Sequence, residues 1–267
     1  MNTRTRILAL ALLLTPGATF AEDRVLRARS PLGIVDSGYV FPSSANVQGV
    51  GAYFKTRIVL VNPTPNPMTI NVLLSTPGGA VGPRTIALAA SETKNYENFL
   101  ADVFSYTGGA GIRFWESTNS RSFLVNGEVY AETANGRYST QIIGMSSDDR
   151  VASVAETGQS LSPGLRVNAA NRANYGCANA DASAVSVQAD FYTSAGGPST
   201  PASTTTLNLA ANGWQQAAVA VTDELINIRF RYFGGGGSLG VYCYGVNVNN
   251  QSADGTSAPA VYVAPSQ

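Results

Sequence analysis

The chain has 267 residues, and its 17 lysines and arginines balance 17 aspartates and glutamates. A balanced charge gives no electrostatic attraction toward nucleic acid or anionic lipid. The sequence contains no histidine, which excludes Ser-His-Asp and Cys-His catalysis within this chain, as well as metal and haem sites that need an imidazole ligand. We therefore expect no cofactor, no metal and no nucleic-acid partner.

The N-terminus has the pattern of a secretory signal peptide over residues 1–21. Two arginines precede an apolar stretch, residues 7–14, and the small residues Thr19 and Ala21 stand at −3 and −1 of the cleavage site. The apolar stretch is shorter than the about 20 residues that span a bilayer, although an uncleaved anchor is the alternative. The mature chain would carry 17 − 2 = 15 basic and 17 acidic residues, a net charge of −2. We expect a periplasmic or secreted protein without an integral membrane segment in the mature chain.

Hydrophobic alternation predicts strands through the rest of the chain. Residues 22–44 look like a linker, with room for one strand near its end. From Phe54 to Leu60 inward apolar positions alternate with outward ones, which is typical of a β-strand that stops at Asn62-Pro63. Further short strands are separated by Gly, Pro and Asn turns. Residues 93–96 are expected to form a short strand, and a short helix is predicted over residues 99–104, with Asn98 as its cap. In the second half the corresponding helix is expected to shrink to a single turn between Trp214 and Ile228.

Several segments of the first half recur in the second half at similar spacing. The recurring pairs are Ile112-Arg113-Phe114 with Ile228-Arg229-Phe230, residues 86–90 with 207–211, and residues 75–79 with 193–197. Self-similarity of this kind indicates a modular architecture. We predict an all-β protein of two tandem antiparallel β-sandwich domains of immunoglobulin-like size, residues 45–153 and 154–267, after the signal peptide and the linker.

The same residues carry a family resemblance. The chain is similar to tandem immunoglobulin-like β-sandwich repeats of exported bacterial proteins, over most of residues 45–263. The segments that carry the similarity are Val47-Gln48-Gly49-Val50-Gly51, Phe54 to Pro63, Leu88-Ala89-Ala90, Val103-Phe104, Gly111-Ile112-Arg113, Tyr242-Cys243-Tyr244 and Asn249-Asn250. Such repeats occur alone, in arrays and appended to secreted enzymes. The resemblance implies a fold and a compartment, and no defined activity.

The two cysteines, Cys177 and Cys243, both fall in the second half. In an exported protein an even number of cysteines suggests a disulfide, with two buried thiols as the alternative. In the repeat alignment they fall close to Val61 and Val125. We therefore predict that the second half replaces a packed valine pair with a covalent bridge.

Three polar patterns invite a functional interpretation, and each has a simpler structural one. Ser91-Glu92-Thr93-Lys94 has the S-x-x-K spacing of serine acyltransferases, but it looks like a turn that enters a strand. Glu128 and Glu132 share a strand face about 13 Å apart, too far for a glycosidase pair, and are expected on an outer sheet face. The loop 249–255 offers oxygen ligands for calcium, but it lacks EF-hand spacing and an Asp-Gly hairpin is the favoured interpretation.

Aromatic side chains are the remaining candidates for ligand binding. Trp115, Trp214, Tyr138 and Tyr244 could stack on sugar rings if they shared an open face, or they could be packing residues. We expect a non-enzymatic surface, adhesion or protein-interaction module with an unknown protein or glycan partner. A carbohydrate-binding protein that uses these aromatics is the alternative, and a hydrolase built on carboxylates alone is a third class.

Overall fold

The computed structural model describes residues 38–116, 123–134, 136–156, 159–196, 199–234 and 239–263. The predicted signal peptide and residues 22–37 of the predicted linker lie outside these ranges. The described chain consists mainly of strands in antiparallel sheets, which confirms the prediction of an all-β, antiparallel protein. The described residues of Ile34–Gln267 belong to one compact unit.

The first half, residues 38–153, contains eight strands and one α-helix among its described residues. They are β1 (Tyr39–Gln48), β2 (Tyr53–Val61), β3 (Met68–Thr76), β4 (Gly79–Leu88), β5 (Thr93–Tyr96), α1 (Phe99–Phe104), β6 (Gly108–Glu116), β7 (Leu124–Thr133) and β8 (Gly136–Ile142). A 3₁₀ turn, Ser147–Asp149, leads into the second half.

The second half, residues 154–263, consists of strands joined by turns in its described part. They are β9 (Gln159–Val167), β10 (Asn171–Asn179), β11 (Val185–Thr193), β12 (Ser203–Leu209), β13 (Trp214–Ala218), β14 (Asp223–Gly234), β15 (Val241–Asn249), β16 (Gly255–Pro259) and β17 (Val261–Val263).

Strand pairing follows the same order in the two halves. The first half has β4-β3-β6-β1 and β5-β2-β7-β8, and β1 joins these two rows into one eight-stranded sheet because it pairs with both β6 and β2. The second half has β12-β11-β14-β9 and β13-β10-β15-β16, which remain separate sheets, and β17 adds to β9. Strands that come at the same place in the chain order of each half therefore have equivalent neighbours: β1 to β8 correspond in order to β9 to β16.

A buried asparagine closes the same corner in each half. Asn62 follows β2 and donates from Nδ2 to the carbonyls of Asn66 and Ala89, each at 2.7 Å, while its Oδ1 accepts the backbone N–H of Thr64. Asn179 ends β10 and is just as deeply buried. It repeats all three bonds, to the carbonyls of Ser183 and Ala210 and from the N–H of Asp181. Since buried backbone groups need partners, each asparagine fixes the chain where a strand leaves its sheet.

Each half also has its own apolar core. In the first half, apolar side chains of β2, β3, β4 and β6 meet the helix residues Phe99, Leu100 and Phe104. In the second half, β10 and β15 face β11 and β14 around Phe191, Phe230 and the cysteines. Alternation along each strand sends every second residue into these cores, as period-two patterning predicts.

Two local predictions need correction. The predicted linker ends within β1, because residues 39–44 already pair with β6. The connection from β13 to β14, residues 219–222, contains no helical turn, although a shortened helix was expected there.

The helix α1 lies where it was predicted, but the Asn98 side chain makes no capping hydrogen bond. Asp102 instead accepts the backbone N–H of Asn98, and the Asn98 amide donates to Asn46 on β1. The backbone N–H of Asn98 at the start of the helix is therefore satisfied by the side chain of Asp102, four residues later.

Candidate functional site

The two halves meet through a buried apolar cluster. Val40 and Met145 from the first half pack with Ala178, Trp214 and Tyr242 from the second half. The indole Nε1 of Trp214 also donates to the carbonyl of Pro42 at 2.8 Å. A buried tryptophan usually finds a partner for its N–H, and here that partner belongs to the other half of the chain.

Glycines on β6 let the halves approach this closely. A Cβ atom at Gly109 would lie 2.4 Å from the Trp214 ring, and one at Gly111 would lie 2.7 Å from the Ala178 side chain. Both distances are shorter than carbon atoms tolerate. The run Gly108-Gly109-Ala110-Gly111 therefore serves the junction between the halves, in addition to starting the strand that the sequence predicted.

Next to this junction lies a cleft of about 360 Å³ that both halves line. Its first wall comes from β1, β2, β7 and β8, and its second wall comes from β10, β13, β15 and β16. This volume is within the range of small-ligand sites, about 300–1,000 Å³, which are also commonly apolar and placed between domains.

The first-half wall is mainly apolar. On β7, Gly127, Val129 and Ala131 face the same side because strand side chains alternate with period two. Phe54 on β2 lies opposite Ala131, and Ile142 on β8 lies opposite Gly127, so both face that side as well. Val47 on β1 lies opposite Phe54 and extends this surface. Phe54, Val129 and Val47 are only partly buried, so the wall keeps apolar area available for a ligand.

The second-half wall carries a polar row beside an apolar row. Arg172 and Asn174 lie two residues apart on β10, opposite Val248 and Val246 on β15. Their side chains share a face because strand side chains alternate with period two, and they are separated by about 7 Å. The residues between them, such as Ala173, point into the core instead. The outer face of this second-half sheet therefore forms the second wall of the cleft.

One part of the cleft is closed by a contact between the halves, where Ala253, after β15, packs on Ala52 and Ala131. Within the second half, the Tyr244 hydroxyl donates to the lining residue Gln216 at 2.6 Å, and burial raises the pKa of Tyr244 well above its usual value. Val50 lies at the rim and is 77% exposed.

Among the described residues that line the cleft, Arg172 is the only charged one. It donates from Nη1 to the side-chain oxygen of Asn250 at 3.0 Å. Within the described ranges, no carboxylate forms an ion pair with it. Burial lowers the pKa of Arg172, because partial removal from water penalises the charged form. Its charge is therefore partly desolvated and available to an anion.

The four aromatic candidates do not share one open face. Trp214 and Tyr244 are buried at the junction, 8% and 1% exposed, so both pack there and neither presents an open ring face to a ligand. Trp115 is half-buried, and the Arg113 guanidinium lies 4.6 Å from its ring centroid. Tyr138 is also half-buried and lines the cleft. Only Tyr138 of the four lies in the candidate site.

The carboxylates that the sequence analysis considered lie on the outer face of the first half. Glu128 pairs with Arg137 at 3.0 Å and with Arg57 at 3.5 Å, and Glu132 pairs with Lys55 at 2.6 Å. These ion pairs explain the acidic residues without a catalytic role.

The S-x-x-K segment is a turn that enters a strand, as predicted. Ser91 has a φ of 57°, in the left-handed region, and Lys94 on β5 donates to the carbonyl of Ala87 at 2.6 Å. The serine does not begin a helix, which the acyltransferase arrangement requires.

The loop 249–255 forms a hairpin turn between β15 and β16. The Asn249 side-chain oxygen accepts the backbone N–H groups of Gln251 and Ser252, at 2.8 and 3.0 Å. It is therefore occupied as a turn acceptor. In the part of the chain that the structure describes, no three Cys, Asp or Glu side chains cluster as metal ligands, and no helix has the length and apolarity to cross a membrane.

Sequence reasoning missed Arg172 and Asn174 because no short motif marks them. Their alternation with core-facing Ala173 and Tyr175 indicates that both lie on the outer face of β10. It does not indicate that this face meets the first half of the chain. Comparison with protein-family models gives no match to this chain, and comparison with curated proteins finds no similar sequence.

Proposed function

We propose that the protein is an exported, non-enzymatic module of two β-sandwich units that binds a surface or extracellular protein partner. The cleft between the halves is the recognition site. Its described lining is apolar and neutral polar with a single arginine, a composition suited to binding. The sequence has no histidine to support common acid–base chemistry. The Cys177–Cys243 disulfide is compatible with an extracellular or periplasmic location.

The matching order of strand pairing supports an origin of the two halves as tandem copies of one module. The repeated asparagine corner supports it independently, since three hydrogen bonds recur at corresponding residues. In this proposal the junction around Trp214 turns two copies into one binding unit. The cleft exists because the outer face of the second copy covers a partly open inner face of the first.

The observation that carries the proposal is the half-buried apolar wall of the cleft, ending at exposed Val50. To test it, a photo-crosslinking amino acid replaces Val50 in one protein and Phe233 in another. Phe233 is also exposed, at 40%, but lies outside the cleft lining. Both proteins are incubated with envelope and culture supernatant of the producing organism. We expect a defined protein to cross-link at Val50 and not at Phe233, with identification by mass spectrometry.

A cleft-filling variant provides the matched control. Ser257→Trp on β16 places a large ring in the cleft, whereas Thr256→Trp places the same ring on the neighbouring exposed position. Cross-linking at Val50 should be lost with Ser257→Trp and retained with Thr256→Trp. Equal cross-linking from both positions would reject the cleft as the site. Tight binding on a glycan array without a protein cross-link would establish the carbohydrate-binding alternative instead.

A further inference from the structure

We infer that the cleft binds the apolar C-terminal end of a partner polypeptide, with the terminal carboxylate held by Arg172. This inference rests on the proposed function and names the partner's chemistry. It depends on the charge of the cleft, its size, and the arrangement of its polar and apolar rows.

The charge of the cleft points to one anionic group. Arg172 contributes the only charge among the described lining residues, and its guanidinium makes one described hydrogen bond, to Asn250. A guanidinium has five N–H donors in a planar fork that matches the two oxygens of a carboxylate. Charge-assisted bonds of this kind are stronger than neutral ones, and more so in a partly desolvated site.

The size of the cleft limits how much of the partner enters. A water molecule occupies about 30 Å³ in the liquid, so a volume of about 360 Å³ has room for roughly a dozen water-sized groups. That corresponds to the last two residues of a chain with small or medium side chains. The half-buried Val47, Phe54 and Val129 supply the apolar surface for those side chains.

The neutral polar groups favour a peptide over a simple alkyl chain. Asn174 lies next to Arg172 on the same face of β10, and Gln216, Thr140 and Ser257 line the same cleft. A hydrocarbon would cover these amides and hydroxyls without giving them partners, which is unfavourable. A peptide main chain offers N–H and C=O groups to them. The spacing of about 7 Å between Arg172 and Asn174 also equals the two-residue repeat of an extended chain.

The test compares two forms of one labelled peptide, Gly-Ser-Gly-Ser-Ala-Val, with a free C-terminal acid or a C-terminal amide. Binding is measured by fluorescence anisotropy on the full mature chain. We expect the acid to bind at least about tenfold more tightly than the amide, because only the acid carries the charge that Arg172 attracts. Equal affinity of the two forms, or no binding of the acid, would overturn the inference. This comparison uses wild-type protein and needs no variant.

Two arginine variants then locate the effect. Arg172→Gln should remove the difference between acid and amide, whereas Arg166→Gln, on an exposed position of β9, should preserve it. An acid preference that survives Arg172→Gln would place the anion elsewhere and overturn the inference. Decanoate serves as a third ligand: tight decanoate binding without peptide binding would identify a free amphiphile as the occupant.

Failure of this inference is distinguishable from failure of the proposed function. If a protein cross-links at Val50 but the acid and amide peptides bind equally, the proposed function stands and the carboxylate role falls. If the acid peptide binds in the cleft but no protein cross-links there, the carboxylate site stands and the proposed partner class falls.

Discussion

The two halves use the same strand order but differ in the side-chain pair at one central position. In the first half, Leu60 on β2 lies opposite Val125 on β7. In the second half, Cys177 on β10 lies opposite Cys243 on β15, and the two form a disulfide with Cα atoms 4.1 Å apart. Counting back from the paired corner residues Asn62 and Asn179 shows that these positions correspond. The prediction of a bridge is confirmed, but it replaces a leucine–valine pair and not a valine pair.

The halves also differ in how completely each encloses its own core. The second half has two separate facing sheets, whereas the first half is one continuous sheet closed at one end by α1. The second half covers part of the inner face of the first half, and the cleft lies between these two surfaces. One strand order can therefore give two separate sheets or one continuous sheet, depending on whether the first strand of the half pairs with the strands of both rows, as β1 does with β6 and β2.

The largest expected effect concerns the junction. Trp214→Ala removes a buried indole and its bond to Pro42, and it should lower the free energy of unfolding by about 3–5 kcal/mol, as measured by urea denaturation. Thr93 on β5 occupies the corresponding position in the first half and is exposed. Thr93→Ala is therefore the matched control, with a change within about 0.5 kcal/mol. Similar losses for both variants would contradict the assigned role of Trp214.

The disulfide should stabilise only the second half directly. The loop-entropy argument gives about 4 kcal/mol for the 66-residue separation of Cys177 and Cys243. Reduction should lower the unfolding midpoint in urea by a corresponding amount. Hydrogen exchange should increase in β10 and β15 more than in β2 and β7. A uniform increase across both halves would show that they unfold as a single cooperative unit.

The asparagine corners should respond alike in the two halves. Asn62→Ala and Asn179→Ala each remove the donor to two carbonyls and the acceptor of one N–H. One of the two carbonyls in each corner, that of Ala89 or Ala210, keeps a backbone N–H as a partner. We expect each to destabilise by about 3 kcal/mol, since each buried unsatisfied group costs about 1–3 kcal/mol and water can reach some of them. Chemical denaturation of the two variants side by side measures this. A large loss at one corner alone would break the proposed equivalence.

A smaller effect, confined to acidic pH, is expected from Asp190 in the second half. Its carboxylate is 2% exposed and contacts Arg229 at 2.7 Å and Arg231 at 3.4 Å. Burial alone would raise the pKa of Asp190, but hydrogen bonds from Gln188, Arg229 and Thr204 lower it on balance. The corresponding first-half residue is Leu73, opposite Arg113.

Because the folded-state pKa of Asp190 lies below the unfolded value of about 3.9, the ionised carboxylate stabilises the fold above that pH. This contribution is lost as pH falls through the folded-state pKa. Asp190→Asn should cost about 2 kcal/mol at neutral pH and should flatten the loss of stability below about pH 4, the unfolded-state value. Asp148→Asn, at an exposed position, should change neither the stability at neutral pH nor its loss in acid. An unchanged acid profile in Asp190→Asn would exclude this carboxylate as a source of acid sensitivity.

Local patterning was sufficient to predict most of the strands. Alternation through residues 54–61 gave β2, the segment 93–96 gave β5, and the apolar spacing of 99–104 gave α1. These signals are short-range, so the sequence carries them directly. Strand β1 was underestimated because its Pro42 and serines weaken the period-two pattern, and only its pairing with β6 and β2 makes it a strand.

The cleft and the junction could not be predicted in the same way. Trp214 and Tyr244 occupy outward positions of their strands, where alternation predicts exposure. They are buried because the other half covers them. Contacts between segments far apart in the chain leave no local pattern. The glycines of β6 were the one visible clue, since closely spaced glycines in a strand often mark a close approach by another part of the chain.

The hydrogen bond from Trp214 to Pro42 joins residues 172 positions apart in the sequence. Closing so long a loop is entropically unfavourable until both partners are held in place, and contacts between distant residues form slowly. We therefore expect the two halves to fold first and dock afterwards, which exposes the Trp214 indole to water in an intermediate. In stopped-flow refolding, a late blue shift of tryptophan fluorescence, absent in Trp214→Phe, would report the docking step. The junction would then set the time at which the newly folded protein becomes able to bind.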